Sequence, residues 1–153
     1  MKILISSCVT GGNVRWNGAN KKRHDILEWA LENDIELIPI CPEDELFGTP
    51  RQPIRLVQIE DKICAQMNRR DVAMDLKKKC KEILDRYPDA IGFIGIAKSP
   101  TCGMSVGVKN LGGFVKGAMH HVSFFPTTEC NHMNNDYNKN TFLNRVKRYL
   151  QNA

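Results

Sequence analysis

The sequence predicts an α/β fold: a single Rossmann-like domain over residues 1–153, with a largely parallel sheet flanked by helices. Three observations predict it. Short apolar runs alternate with segments of helical periodicity, the pattern of crossover units in a parallel sheet. A chain of 153 residues with 42% hydrophobic residues is one domain's length and supplies one core. No internal repeat or low-complexity segment interrupts the alternation.

Lys2–Ser7 reads as the first buried strand and runs into Cys8 and a stretch rich in Gly and Asn, a turn-rich connection. Arg23–Asn33 is a helix, with Ile26, Leu27, Ala30 and Leu31 on one face. Ile35–Ile40 is the second strand and ends at Cys41-Pro42-Glu43. Pro50 and Pro53 make the next segment an extended loop, and Leu56–Met67 a short hairpin. Asp71–Tyr87 is the clearest helix. Ala73, Leu76, Cys80, Ile83 and Leu84 form its apolar stripe, Asp71 caps its start and Pro88 ends it. Ala90–Ala97 is the third strand, with Gly92 and Gly95 permitting close packing. Val122–Phe125 is a fourth strand and residues 130–140 an Asn-rich loop. Asn140–Leu150 is the last helix, with Phe142, Val146, Tyr149 and Leu150 facing inward.

No apolar run approaches the roughly 18–20 residues of a membrane span. The apolar segment after Lys2 stops at Ser6-Ser7, unlike a secretory leader. A cytoplasmic protein with no membrane partner is therefore expected, and its six cysteines are expected to be thiols rather than disulfides. No Cys-x-x-Cys pair occurs. Cys80 lies on the apolar stripe of a helix and Cys64 beside Ile63, so both read as packing. Cys130, with His120, His121 and His132, offers zinc-type donors at a spacing that matches no zinc finger. Cys8, Cys41 and Cys102 each follow a predicted strand. A parallel sheet brings such positions to one edge, where α/β folds bind ligands. Three thiolates there serve either zinc with an open fourth position or three irons of a four-iron cluster, and the pattern does not choose between them.

The residues around this trio carry a resemblance. Ser6-Ser7-Cys8 with Val14-Arg15-Trp16-Asn17-Gly18 resembles the first motif of the thiouracil desulfidase family, long catalogued as a domain of unknown function. Cys41-Pro42-Glu43 with Gly48-Thr49-Pro50-Arg51 and Pro53 resembles the second. Lys98-Ser99-Pro100-Thr101-Cys102-Gly103 resembles the third and most specific. Asn17 stands where the first motif usually has Asp, and Arg55 where an acidic residue follows the second. Asn140–Val146 is similar to the end of the domain in the branch acting on thiolated tRNA.

The resemblance implies a [4Fe-4S] cluster held by Cys8, Cys41 and Cys102, with one iron lacking a protein ligand. It places Glu43 and Ser99 at the catalytic positions. The implied reaction replaces C=S by C=O on a thiolated uracil and releases sulfide with no net redox change. Glu43 serves as base toward water, and Ser99 orients the water or relays a proton. The implied substrates are free thiouracil or 4-thiouridine, with tRNA as a partner. Arg15 and Arg51 are candidate contacts to a substrate carbonyl or phosphate, and Trp16 a candidate stacking platform. A net charge of +5 fits either an RNA footprint or a solvated surface. Two rivals use the same residues: a zinc-dependent hydrolase on the three cysteines, and a non-catalytic RNA-binding module. A nucleotide deaminase lacks its Pro-Cys-x-x-Cys element here.

Overall fold

The computed structural model describes residues 1–104, 113–118 and 125–152. In chain order its elements are β1 (Lys2–Ser6), α1 (His24–Glu32), β2 (Glu36–Ile40), α2 (Pro42–Phe47), β3 (Ile54–Ile59), β4 (Lys62–Met67), β5 (Arg70–Asp71), α3 (Ala73–Arg86), β6 (Ala90–Gly95), α4 (Phe114–Ala118), β7 (Thr127–Glu129) and α5 (Asp136–Gln151). Short 3-10 turns at Ser7–Thr10 and Cys130–His132 follow β1 and β7 directly.

The predicted α/β class holds. Four parallel strands form the main sheet in the order β2-β1-β6-β7. Side chains of a strand alternate between faces, so β1 sends Ile3 and Ile5 to one layer and Leu4 to the other. The first layer packs against Ile26, Trp29 and Ala30 of α1 and Phe142, Leu143 and Val146 of α5. The second packs against Leu76, Cys80 and Ile83 of α3 and Phe114 and Val115 of α4. Each fully buried Ile, Leu or Phe contributes about 1.5–3 kcal/mol of transfer free energy to these layers. The expected hairpin is present as β3–β4, paired from Ile54↔Met67 to Ile59↔Lys62, and β5 extends it to a separate antiparallel sheet of three strands.

Several expectations are corrected. Among the described residues the strand beside β6 is Thr127–Glu129, where Gly95 pairs with Glu129 and Phe93 N–H donates to the Pro126 carbonyl. The expected strand at Val122–Phe125 falls, for residues 122–124, outside the described residues. The Asn-rich segment is half helix: α5 begins at Asp136, and the Asn135 side chain accepts from Asn138 N–H at 2.8 Å. Asparagine is among the best N-caps, so those residues start a helix rather than prolong a loop. On α1 the buried face is Ile26, Trp29 and Ala30, at i, i+3 and i+4, which turns Leu31 to solvent at 81% exposure. Leu150 is likewise 48% exposed. The helix α2 was not foreseen, although Pro42 in its first turn and three acidic residues there are ordinary helix-start signals.

Candidate functional site

All four parallel strands point their carboxyl ends the same way, with Ser6 level with Ile40. Cys8 lies in the turn after β1. Cys41 directly follows β2 and caps α2, its sulfur accepting from Asp44 N–H at 3.4 Å. Cys102 lies seven residues beyond the end of β6, further than the expected strand end implied. A compact turn returns it to the edge: Cys102 N–H donates to Ser99 Oγ at 3.0 Å and Gly103 N–H to the Ser99 carbonyl at 2.9 Å. Gly95 makes the return possible, because a methyl group there would overlap the Cys102 carbonyl oxygen.

A cavity of about 230 Å³ opens at this edge. Cys8, Cys41, Cys102, Glu43, Ser99, Arg15, Trp16 and Arg51 all line it, so eight residues picked from three separated segments share one hollow. Glu43 stands on the first turn of α2 with a side chain 12% exposed. Ser99 accepts through its oxygen from Cys102 N–H, which leaves its O–H to donate elsewhere. Trp16 sits at the rim, 46% exposed. Arg51 differs from the expectation. Its Nη atoms donate to the carbonyls of Gly48 and Val14 and to Thr49 Oγ1, so they are engaged by the protein itself rather than turned to a ligand.

Burial sets the thiol chemistry. It pushes the Cys8 thiol up against the opposing charge of Arg15. It pushes Cys41 up to about 11, against the Asp44 N–H and the charge of Arg51. It holds Cys102 well above the ordinary thiol range; the Ser6 hydroxyl opposes this, and Cys41 and Glu43 add to it. All six cysteines are free. A bound metal reverses this logic, since a coordinating thiol gives up its proton. Ser6 Oγ is buried without a hydrogen-bond partner, and it favours the Cys102 thiolate. That orphaned hydroxyl gains its acceptor when Cys102 ligates, so the donor set fits a soft metal group. Among the described residues no three Cys, His, Asp or Glu side chains gather tightly enough to hold a single ion. The three thiols all line the one cavity.

The other cysteines lie elsewhere. Cys80 is 1% exposed within the α3 layer, and Cys64 is buried in β4. Cys130 follows β7 and so shares the sheet edge, a placement hidden when the fourth strand was set too early. Its sulfur is buried in the α1–α5 layer with Cys8 and does not line the cavity. His132 is largely exposed and pairs with the buried Glu129 at 3.1 Å. His120 and His121 lie outside the described residues. A second hollow of about 590 Å³, between the β3–β4 hairpin, α3 and α4, collects Lys62, Lys77 and Lys81 around Phe114 and holds no thiol. No helix among the described residues is long and apolar enough to cross a membrane.

Comparison with known proteins adds two findings. The family model for 2-thiouracil desulfurase matches residues 3–125. A solved structure described as a 4Fe-4S-dependent thiouracil desulfidase, TudS, superposes with a TM-score of 0.68 at 19% identity, over 86% of this chain and 92% of that one. No curated protein matches.

Proposed function

The chain belongs to the 2-thiouracil desulfurase family, and from that premise we propose that it is a desulfidase. It exchanges the thiocarbonyl sulfur of a thiolated uracil for oxygen from water and releases sulfide. One observation carries the reading: three thiols, a carboxylate and a serine hydroxyl from three separate segments line one cavity at the carboxyl edge of the sheet.

Cys8, Cys41 and Cys102 would hold a four-iron, four-sulfur cluster, leaving one iron without a protein ligand. When bound, that group supplies a Lewis-acidic position for the substrate sulfur. The protein supplies the rest. Glu43, largely buried at the cavity wall, takes a proton from the water that attacks the thiocarbonyl carbon. Ser99, its oxygen anchored by Cys102 N–H, donates its O–H to the water or to a ring nitrogen. The atoms balance as C=S plus water giving C=O plus hydrogen sulfide, so no outside reductant or oxidant enters. Arg15 supplies positive charge toward a substrate oxygen, and the exposed Trp16 ring offers a stacking face for the pyrimidine.

A zinc hydrolase on the same three cysteines predicts a colourless protein instead. The test is anaerobic reconstitution followed by sulfide assays on 2-thiouracil, 4-thiouridine and thiolated tRNA. The expected protein is brown, with broad absorbance near about 400 nm, and releases sulfide from at least one substrate. Glu43→Ala should keep the absorbance and lower the rate by about 100-fold or more. Retained activity in that variant removes Glu43 as the base. Binding of tRNA with no sulfide released by the wild type favours the RNA-binding alternative.

A further inference from the structure

We propose that Arg51 is a positioning residue for Glu43, holding the carboxylate by charge while leaving its oxygens free for water. The inference rests on the desulfidase reading of Glu43, and it replaces the substrate contact that the sequence suggested for Arg51.

Arg51 enters from the loop after α2, and its side chain is 5% exposed. Its backbone N–H donates to the Trp16 carbonyl at 2.8 Å. Nη2 donates to the Val14 carbonyl at 2.7 Å, and Nη1 to the Gly48 carbonyl at 3.1 Å and to Thr49 Oγ1 at 2.9 Å. These bonds pin a planar guanidinium between two loops. It cannot swing toward a ligand without breaking several of them at once.

Nε is the exception. It is buried, has no hydrogen-bond partner, and lies 3.5 Å from Glu43 Oε1. A buried donor without an acceptor is rare in native proteins and calls for an explanation. The explanation offered by the geometry is the carboxylate it faces. A carboxylate offers about four lone-pair sites on two oxygens, so this ion pair leaves acceptor sites on Glu43 free for water. At 3.5 Å the opposite charges still attract and orient, yet among the described residues nothing donates a hydrogen bond to Glu43. The carboxylate is thus aimed without being occupied. Thr49 completes the support, since its hydroxyl accepts from Arg51 and donates to Asp44, the neighbour of Glu43 on α2.

Arg51→Lys keeps the charge and loses the planar fork. Misplacing a catalytic group by about 1 Å costs about 100-fold. After anaerobic reconstitution, R51K should therefore bind iron and absorb like the wild type, lose about 100-fold in kcat for sulfide release, and keep its KM. In a Glu43→Gln background the same change should cost nothing further. A raised KM with unchanged kcat would make Arg51 a substrate contact, and loss of iron in R51K would make it a support for the thiol loops; either overturns the proposal. If R51K does not fold, Thr49→Val decides the question: it loosens Arg51 and should lower kcat alone, and an unchanged kcat overturns it. A crystal structure of R51K (or of T49V in its place) gives a readout independent of turnover. The Glu43 carboxylate should move while Cys41 stays, and an unmoved Glu43 sinks the idea. A wild type inactive on every thiolated substrate overturns the desulfidase reading instead, and the Glu43 position in that crystal structure still judges Arg51.

Discussion

A thiol buried at a strand end keeps its proton well past neutral pH, and the three cavity cysteines are all in that condition. Cys41, pushed up to about 11 by burial, is neutral at pH 7. Metal uptake must displace such protons, so affinity falls as pH falls. Iron loading of the metal-free protein should rise steadily between about pH 7 and pH 9, followed by proton release in weakly buffered solution. Burial above all, then the Glu43 charge, raises the Cys80 thiol, which packs in the α3 layer and does not line the cavity. Cys102→Ser should abolish the visible absorbance, and Cys80→Ser should leave both absorbance and sulfide release intact. Loss of iron from the Cys80 variant would overturn its assignment to the core. Periodicity alone places Cys80 in the core, where it is 1% exposed, while Cys102 is singled out by its strand-end position and motif. Neither signal could foresee the Ser6 hydroxyl beside Cys102, because one serine in a strand looks like any other.

Elements place the residues, and small features of each element matter. Asp71 accepts from the N–H groups of Ala73 and Ala65, so one carboxylate starts α3 and ties it to β4. Asp71→Ala should lower stability by about 1 kcal/mol, read as a shift in urea midpoint at unchanged slope. At the end of β6, Gly95 admits the Cys102 carbonyl. Gly95→Ala must push the returning turn outward, so the variant should lose iron binding more than it loses helix signal by circular dichroism. The stripe of α3 was legible because it is local, whereas the N-cap is Val72, one residue after the expected Asp71, whose carboxylate reaches Ala73 N–H. The short helix α2 is not legible because Cys41-Pro42-Glu43 also fits a strand ending. The strand β7 was not legible for a different reason: a three-residue strand is specified by its neighbour β6, not by its own pattern.

At the scale of the molecule, one charged network joins the start of α1 to the start of α5 and to the turn after β7. Arg23 pairs with Asp25 through two bonds of 2.8 Å and donates to the Cys130 and Met133 carbonyls, while Lys139 of α5 reaches the same Asp25 at 2.9 Å. Arg23 above all, then Lys139, holds the Asp25 carboxyl well below its ordinary 3.8. A depressed native pKa contributes stability above the unfolded value and loses it as pH falls through the native one. The wild type should therefore be more stable than Asp25→Asn at about pH 6, with the gap closing below about pH 4. Thermal unfolding across that range checks the sign, and a gap that is constant with pH would show the network to be uncoupled from folding.

The sequence by itself determined the α/β class, the strands β1, β2 and β6, the main helices and eight of the residues that line the cavity. Apolar periodicity and strand-end positions are written in neighbouring residues, and the three motifs are local strings. Tertiary structure alone decided that these strings meet, since only the parallel order β2-β1-β6-β7 sends Cys8, Cys41 and the turn bearing Cys102 to one edge. It also decided where Arg51 points. A buried arginine chooses among acceptors brought in from distant loops, and no spacing in the chain encodes that its last donor faces Glu43.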